Sequence, residues 1–195
     1  MALLSSGKAL VTAPTAEPVT VEEAKDHLRV TADSEDNYIR GLIKVARSRV
    51  ETDTKRALVT QTWDEFFDGF PGTDTFELTL PPVASITSVT YLDGDGASQT
   101  LGTSVYELDG TQWPGAVRLK WDQDWPVTRS IHKAVTVRFI AGEAVTAVPE
   151  SAKHAVKLLI EDMFCNRGPS GEGSLGVHNI NYQGLISTLR WGSYV

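Results

Sequence analysis

The chain has 195 residues, of which 41% are hydrophobic and 22% charged, with a net charge of −7. That balance suits one folded domain, or two small modules sharing a chain, and excludes a disordered or fibrous protein. An acidic chain also lacks the basic face that wrapping nucleic acid requires, although an acidic wall suits a duct past which DNA slides without sticking.

The opening stretch, MALLSSGKALVTAPTAEP, carries Lys8 inside its only apolar run. It lacks the basic region and continuous apolar core of a signal peptide, so it reads as an extended arm. No apolar run approaches the roughly 18 to 20 residues that span a bilayer, and no membrane partner is expected. The single cysteine, Cys165, excludes internal disulfides and Cys-rich zinc clusters.

Thr20 followed by Glu23 is a capping-box pattern behind Pro18, and it predicts a helix from about 20 to 30. A second helix is expected to start at Asp33 or Ser34, with Glu35 and Asp36 in its first turn at the positive end of the dipole. Its apolar stripe is Ile39, Leu42, Ala46 and Val50, at spacings of three and four. Arg40, Lys44, Arg47 and Glu51 fall on the opposite face, which is either a solvated side or a contact with a neighbouring subunit.

From about Leu58 the period shifts from 3.6 to 2, and β-branched and aromatic residues become frequent. Strands are expected from about 60 and then over 75–80, 85–92, 98–101, 105–108, 116–121 and 134–140. Gly, Pro, Asp and Asn separate them, which argues for an antiparallel sheet or small sandwich rather than βαβ units. The helical period returns after Pro149, with Ala152, Val156, Leu159, Ile160 and Met163 or Phe164 on one side, and Gly168-Pro169 ends it. GPSGEGSLG reads as a flexible loop, and residues 186–191 as one or two terminal helical turns.

The motifs that carry chemistry fall short. Asp93-Gly94-Asp95-Gly96 opens like a calcium loop, but the sixth position is Ser98 rather than Gly and the twelfth is Ser104 rather than Glu. Asp-Gly at that point predicts a hairpin turn instead. His27, His132, His154 and His178 are all too far apart for a ligand motif, and no G-x-S-x-G, P-loop or G-x-G-x-x-G occurs. The expectation is no metal, no cofactor and no catalytic residue. Trp113, Trp121 and Trp125 cluster in the strand region and raise a rival reading, a β-rich carbohydrate- or receptor-binding tail module. Anchoring a core or an interface is the commoner use of such aromatics. A hydrolase built on scattered carboxylates needs two of them about 5 to 10 Å apart in a cleft, which spacing alone does not show.

Five segments in order, EPVTVEEAKDHLRV, DSEDNYIRGLIKVARSRVETDTKRALVTQTW, FFDGFP, LPPVASITSVTYLDGDG and VPESAKHAVKLLIEDMFCNRG, resemble the head-to-tail connector, or adaptor, family of long-tailed bacteriophages and gene-transfer particles. The resemblance covers about residues 17 to 168. It implies a non-enzymatic α+β virion protein, found in the neck between capsid portal and tail and in the host cytoplasm during assembly. Ring formation, commonly with twelve copies, is implied, together with portal and stopper or tail-completion partners and DNA passing through the lumen without sequence-specific binding. The organisation expected is an arm and core helices over 1–57, an inserted antiparallel β domain over 58–148, and a core helix, loop and tail over 149–195. A closing ring requires two complementary lateral faces on each subunit. Arg40, Lys44, Arg47, Arg49 and Glu51 are the expected subunit-interface residues. Leu185, Ile186, Leu189, Arg190, Trp191 and Tyr194 are the expected portal-docking tail.

Overall fold

The computed structural model describes residues 5–112, 114–167 and 176–190. It divides into two compact units. Thr60–Gly142 together with Met1–Thr15 forms a β unit, and Ala16–Val59 with Glu143–Val195 forms a helical unit. The α+β architecture is as expected, with a β unit set into a discontinuous helical core. The expected boundaries near 58 and 148 differ from these, and the arm is assigned differently altogether.

In the helical unit, α1 spans Val21–Leu28 and α2 spans Asp36–Thr54, entered through a 3-10 turn at Asp33–Glu35. The capping box is present: the Glu23 N–H donates to Thr20 Oγ1 at 3.1 Å and the Thr20 N–H donates to Glu23 Oε2 at 2.8 Å. Both helices stop at a residue in the left-handed region, Arg29 with φ 57° and Lys55 with φ 54°. Lys25 Nζ holds Asp33 at 2.8 Å and Asp36 at 2.9 Å, which ties α1 to the start of α2. After the β unit, α3 spans Glu150–Cys165 with Pro149 before its first residue, and α4 spans Gly176–Ser187. Of the loop expected over 168–176, residues 168–175 lie outside the described residues and Gly176 opens α4; of the turns expected over 186–191, residues 186 and 187 end that helix and 188–190 form a turn after it.

The stripe Ile39, Leu42, Ile43, Ala46 and Val50 of α2 packs with Ala152, Ala155, Val156 and Ile160 of α3. Tyr182, Ile186 and Leu189 belong to the same core. Glycine and asparagine hide α4 from sequence reading: Gly176, Asn179, Asn181 and Gly184 are poor helix formers, and tertiary packing supplies the stability that propensity does not.

In the β unit, a five-stranded antiparallel sheet has the order β1-β2-β8-β4-β5, and a three-stranded sheet has the order β3-β7-β6. The strands are β1 Gly7–Thr12, β2 Gln61–Phe67, β3 Thr75–Glu77, β4 Val83–Leu92, β5 Ser98–Thr100, β6 Tyr106–Asp109, β7 Ala116–Leu119 and β8 Val135–Ala141. Its core holds Phe67, Phe76, Leu78, Val89, Val117, Val137 and Phe139, with Phe67 edge-on to Phe76 at 5.0 Å between ring centroids. Glu65 is fully buried there, and its carboxylate accepts from the Thr79 N–H at 3.0 Å and the Thr79 hydroxyl at 2.8 Å. The arm is a strand rather than a free lead-in to the helices. Residues 7 to 10 pair antiparallel with residues 66 to 63 of β2, and an irregularity follows before Thr12.

Candidate subunit interface

The charged face of α2 separates into two groups. Arg47 Nε donates to Glu17 Oε2 at 2.7 Å and Arg47 Nη1 donates to Glu51 Oε2 at 2.6 Å, while Glu51 Oε1 accepts the Leu58 N–H at 2.8 Å. The side chains of Arg47 and Glu51 are mostly covered. Burial opposes the Arg47 charge, but the carboxylates of Glu51 and Glu17 outweigh it and hold the guanidinium pKa above its ordinary value. This network fastens the segments on either side of α2, so Arg47 and Glu51 are internal to the helical unit and corrected from the expected interface set. The sequence puts them on the polar face but does not show that Glu17, thirty positions away, is the partner.

Arg40, Lys44 and Arg49 face solvent. Arg40 reaches only Asn37 at 2.9 Å and Asp36 at 3.9 Å, and Arg49 pairs with Asp53 at 2.9 Å while most of its side chain stays exposed. Lys44 has no ion pair among the described residues. Beside them stand Asn37, Gly41, Ser48, Thr52 and the 55%-exposed Val45. In an acidic chain, the outward side of α2 thus carries cations, small polar residues and one bare aliphatic side chain, and no carboxylate between Asp36 and Glu51. Exposed carboxylates lie elsewhere on the helical unit, at Glu22 and Asp26 of α1. Two unlike faces of opposite charge are what a head-to-tail, ring-closing contact uses.

The expected docking tail also divides. Ile186 is completely buried, Leu189 is buried and Leu185 is half-buried, all against the helical core. Tyr182 donates from its hydroxyl to Asp53 Oδ2 at 2.9 Å, and burial together with that carboxylate pushes its pKa up. Arg190 Nε donates to the Asp53 carbonyl at 3.1 Å. Ile186 and Leu189 are therefore core residues, contrary to the expectation that they belong to a detached docking segment. Removing everything after Gly168 would strip that core of three side chains, Tyr182, Ile186 and Leu189. Trp191 and Tyr194 lie outside the described residues.

The other candidates resolve into structure. Asp93 closes a turn in which the Gly96 N–H donates to its carbonyl at 2.9 Å and Gly96 has φ 87°. Its carboxylate accepts from the Gln99 amide at 2.8 Å, the Ala97 N–H at 2.9 Å and the Asp95 N–H at 3.1 Å, and these donors, Gln99 first, lower its pKa. The carboxylate that a calcium loop would point at metal is spent on its own turn. Among the described residues no three His, Cys, Asp or Glu side chains gather into a metal-holding group, and no helix is long and apolar enough to cross a membrane. His27 contacts Glu161 at 3.2 Å and His132 contacts Asp68 at 2.8 Å. The tryptophans form no shared platform: Trp125 stacks on Phe70 at 4.9 Å and donates its indole N–H to the Thr73 carbonyl, Trp121 is 96% exposed, and Trp113 lies outside the described residues.

Residues 18–88 match the family model described as "Phage gp6-like head-tail connector protein". That stretch, a little over a third of the chain, is similar to the head-tail connector family. The matched region contains α1, α2 with the outward face just described, β2, β3 and the first half of β4, but not β1. No curated protein matches the chain's sequence. Among solved structures, the chain is similar to a chain of the "Neck of empty GTA particle computed with C6 symmetry", with TM-score 0.77, 22% identity and 95% of each chain covered. It is also similar to a chain of the "Virion of native gene transfer agent (GTA) particle", with TM-score 0.74, 22% identity, and 94% of this chain and 95% of that one covered. A third, from the "Neck of native GTA particle computed with C12 symmetry", gives TM-score 0.69, 24% identity and 95% coverage of each. At these identities the likeness shows a shared fold along nearly the whole chain.

Proposed function

We propose that the chain is a head-tail connector, a structural protein of the virion neck. It assembles as a closed ring, with twelve copies as the working number, joins the portal to the tail and leaves a lumen for DNA. The observation that carries this reading is the family match over 18–88, combined with a fold shared over 95% of the chain with a particle-neck protein. The cyclic symmetry of those particle necks supports the ring. The work of such a protein is binding, and the hydrogen-bonding of Asp93 and Glu65 within their own unit is consistent with a structural role.

In this reading the outward side of α2, with Arg40, Lys44, Val45 and Arg49, meets the acidic α1 side of the next copy. Trp191 and Tyr194, beyond the core anchor at Leu189, are the proposed portal contacts, and a stopper or tail-completion protein meets the opposite rim. Val45 supplies apolar area at that contact and the cations supply orientation and rate, since exposed charges steer association more than they tighten it.

Negative-stain microscopy of the purified chain, alone and mixed with portal, tests the proposal. Ring-shaped particles are expected, either spontaneously or on portal addition, and Arg40→Glu with Lys44→Glu is expected to abolish them without lowering the thermal midpoint. A chain that stays monomeric at every concentration and ignores portal contradicts the reading.

A further inference from the structure

Strand β1 is attached to its sheet in an unusual way. Every residue from Lys8 to Thr12 is exposed, and the apolar neighbours Leu10 and Val11 are 46% and 44% exposed. No β1 side chain belongs to the core of the β unit. What holds the strand is the ladder with β2, the Ser6 N–H donating to the Phe66 carbonyl at 2.7 Å, and the Ser6 hydroxyl donating to Asp68 Oδ1 at 2.7 Å. All of these partners lie on the edge of β2 and its following residue, and that edge accepts any copy of the segment 5–12 equally well.

The tether points the same way. Residues 13–20 have no helix or strand and join β1 in the β unit to α1 in the helical unit, but Glu17 is held by Arg47 and Val19 is buried in the helical core, so the free part is residues 13–16, with Pro14. At about 3.1 Å per residue that part reaches on the order of 12 Å. A short stiff hinge beside an element that buries nothing is the circumstance in which identical elements trade places between protomers. Exchange breaks no contact that it does not remake, and adjacent copies in a ring are present at high effective concentration.

We infer that residues 5–12 of one copy add as the edge strand to β2 of a second copy of the same chain, so that the assembled connector is laced by its N-terminal arms. This inference rests on the ring reading above. The partner is fixed by chemistry: the exchanged segment must offer a serine hydroxyl to Asp68 and an extended GKALVT register opposite residues 66 to 62, and a second copy supplies both.

Ala9 and Asp64 are direct cross-strand partners and therefore stand within reach of a disulfide. With Cys165→Ser in both, Ala9→Cys protein is mixed with Asp64→Cys protein as free chains, assembled and then oxidised. Interchain disulfide dimers on a non-reducing denaturing gel are expected from the mixture and from neither variant alone. The Ala9→Cys/Asp64→Cys double variant is expected to run as an internally linked monomer when oxidised before assembly and as a ladder when oxidised after it. Rings that give no mixed dimer, with the double variant internally linked throughout, overturn the exchange and leave the ring reading intact. If the parent protein forms no ring under any condition, the reading beneath it fails as well.

Discussion

The two ends of the described chain are fastened by different physics. At the C-terminal end, α4 and the turn after it place Tyr182, Ile186 and Leu189 in the helical core and add the Tyr182 and Arg190 bonds to Asp53. At the N-terminal end, β1 buries no side chain and relies on ladder hydrogen bonds with β2. Burial of apolar area is the dominant favourable term in folding, whereas each hydrogen bond exchanged with water contributes a modest net amount. An end that carries core is not free to dock elsewhere without opening the fold, and an end that carries only a ladder can be traded between copies at little cost. The candidates for assembly contact therefore shift away from Ile186 and Leu189, toward the outward side of α2 and toward β1.

Four variations sharpen that contrast. Ile186→Ala removes most of a fully buried side chain and is expected to lower unfolding free energy by about 3 kcal/mol, read by denaturant titration; a loss under about 0.5 kcal/mol, ordinary for a surface site, would show that α4 is not core. Tyr182→Phe keeps the ring and removes one bond to a carboxylate, for an expected loss of about 1 kcal/mol in the same titration. Leu10→Ser is expected to change stability by less than about 0.5 kcal/mol, because the side chain is already exposed. A large loss there would mean that β1 contributes to the core of its own subunit. The smallest effect concerns pH. The Lys133 N–H and then the Ser6 hydroxyl lower the Asp68 pKa, so its contribution is present above the ordinary carboxylate range of about 4 and fades as pH falls through the lower folded value. Below about pH 4, β1 amides are expected to lose protection relative to their intrinsic exchange rate while α4 amides do not, and Asp68→Asn is expected to erase that dependence.

Sequence reading reached different depths in different places. The core of α2 and α3 was visible because apolar residues recur every three or four positions, and the α1 start was visible because Thr20 and Glu23 satisfy each other's backbone. The Asp93 turn was legible from its glycines. β1 was not: GKALVT lacks the alternation that marks a half-buried strand, since neither of its faces is buried, and its pairing with residues more than fifty positions away leaves no local trace. α4 was hidden by two glycines and two asparagines, whose intrinsic cost is offset by three buried side chains. The proposed interface residues were half-legible. Their place on one helix face follows from spacing, but which cations are already neutralised depends on long-range partners such as Glu17 for Arg47.

Hydrogen exchange followed by mass spectrometry, on the free chain and on the assembled ring, tests the contrast between the two ends most directly. The account predicts that amides of residues 182–187 are protected to a similar degree in both states, while those of residues 7–12 exchange fast in the free chain and slowly in the ring. Equal, rapid exchange at both ends of the free chain, or β1 amides whose rate does not change on assembly, would contradict it.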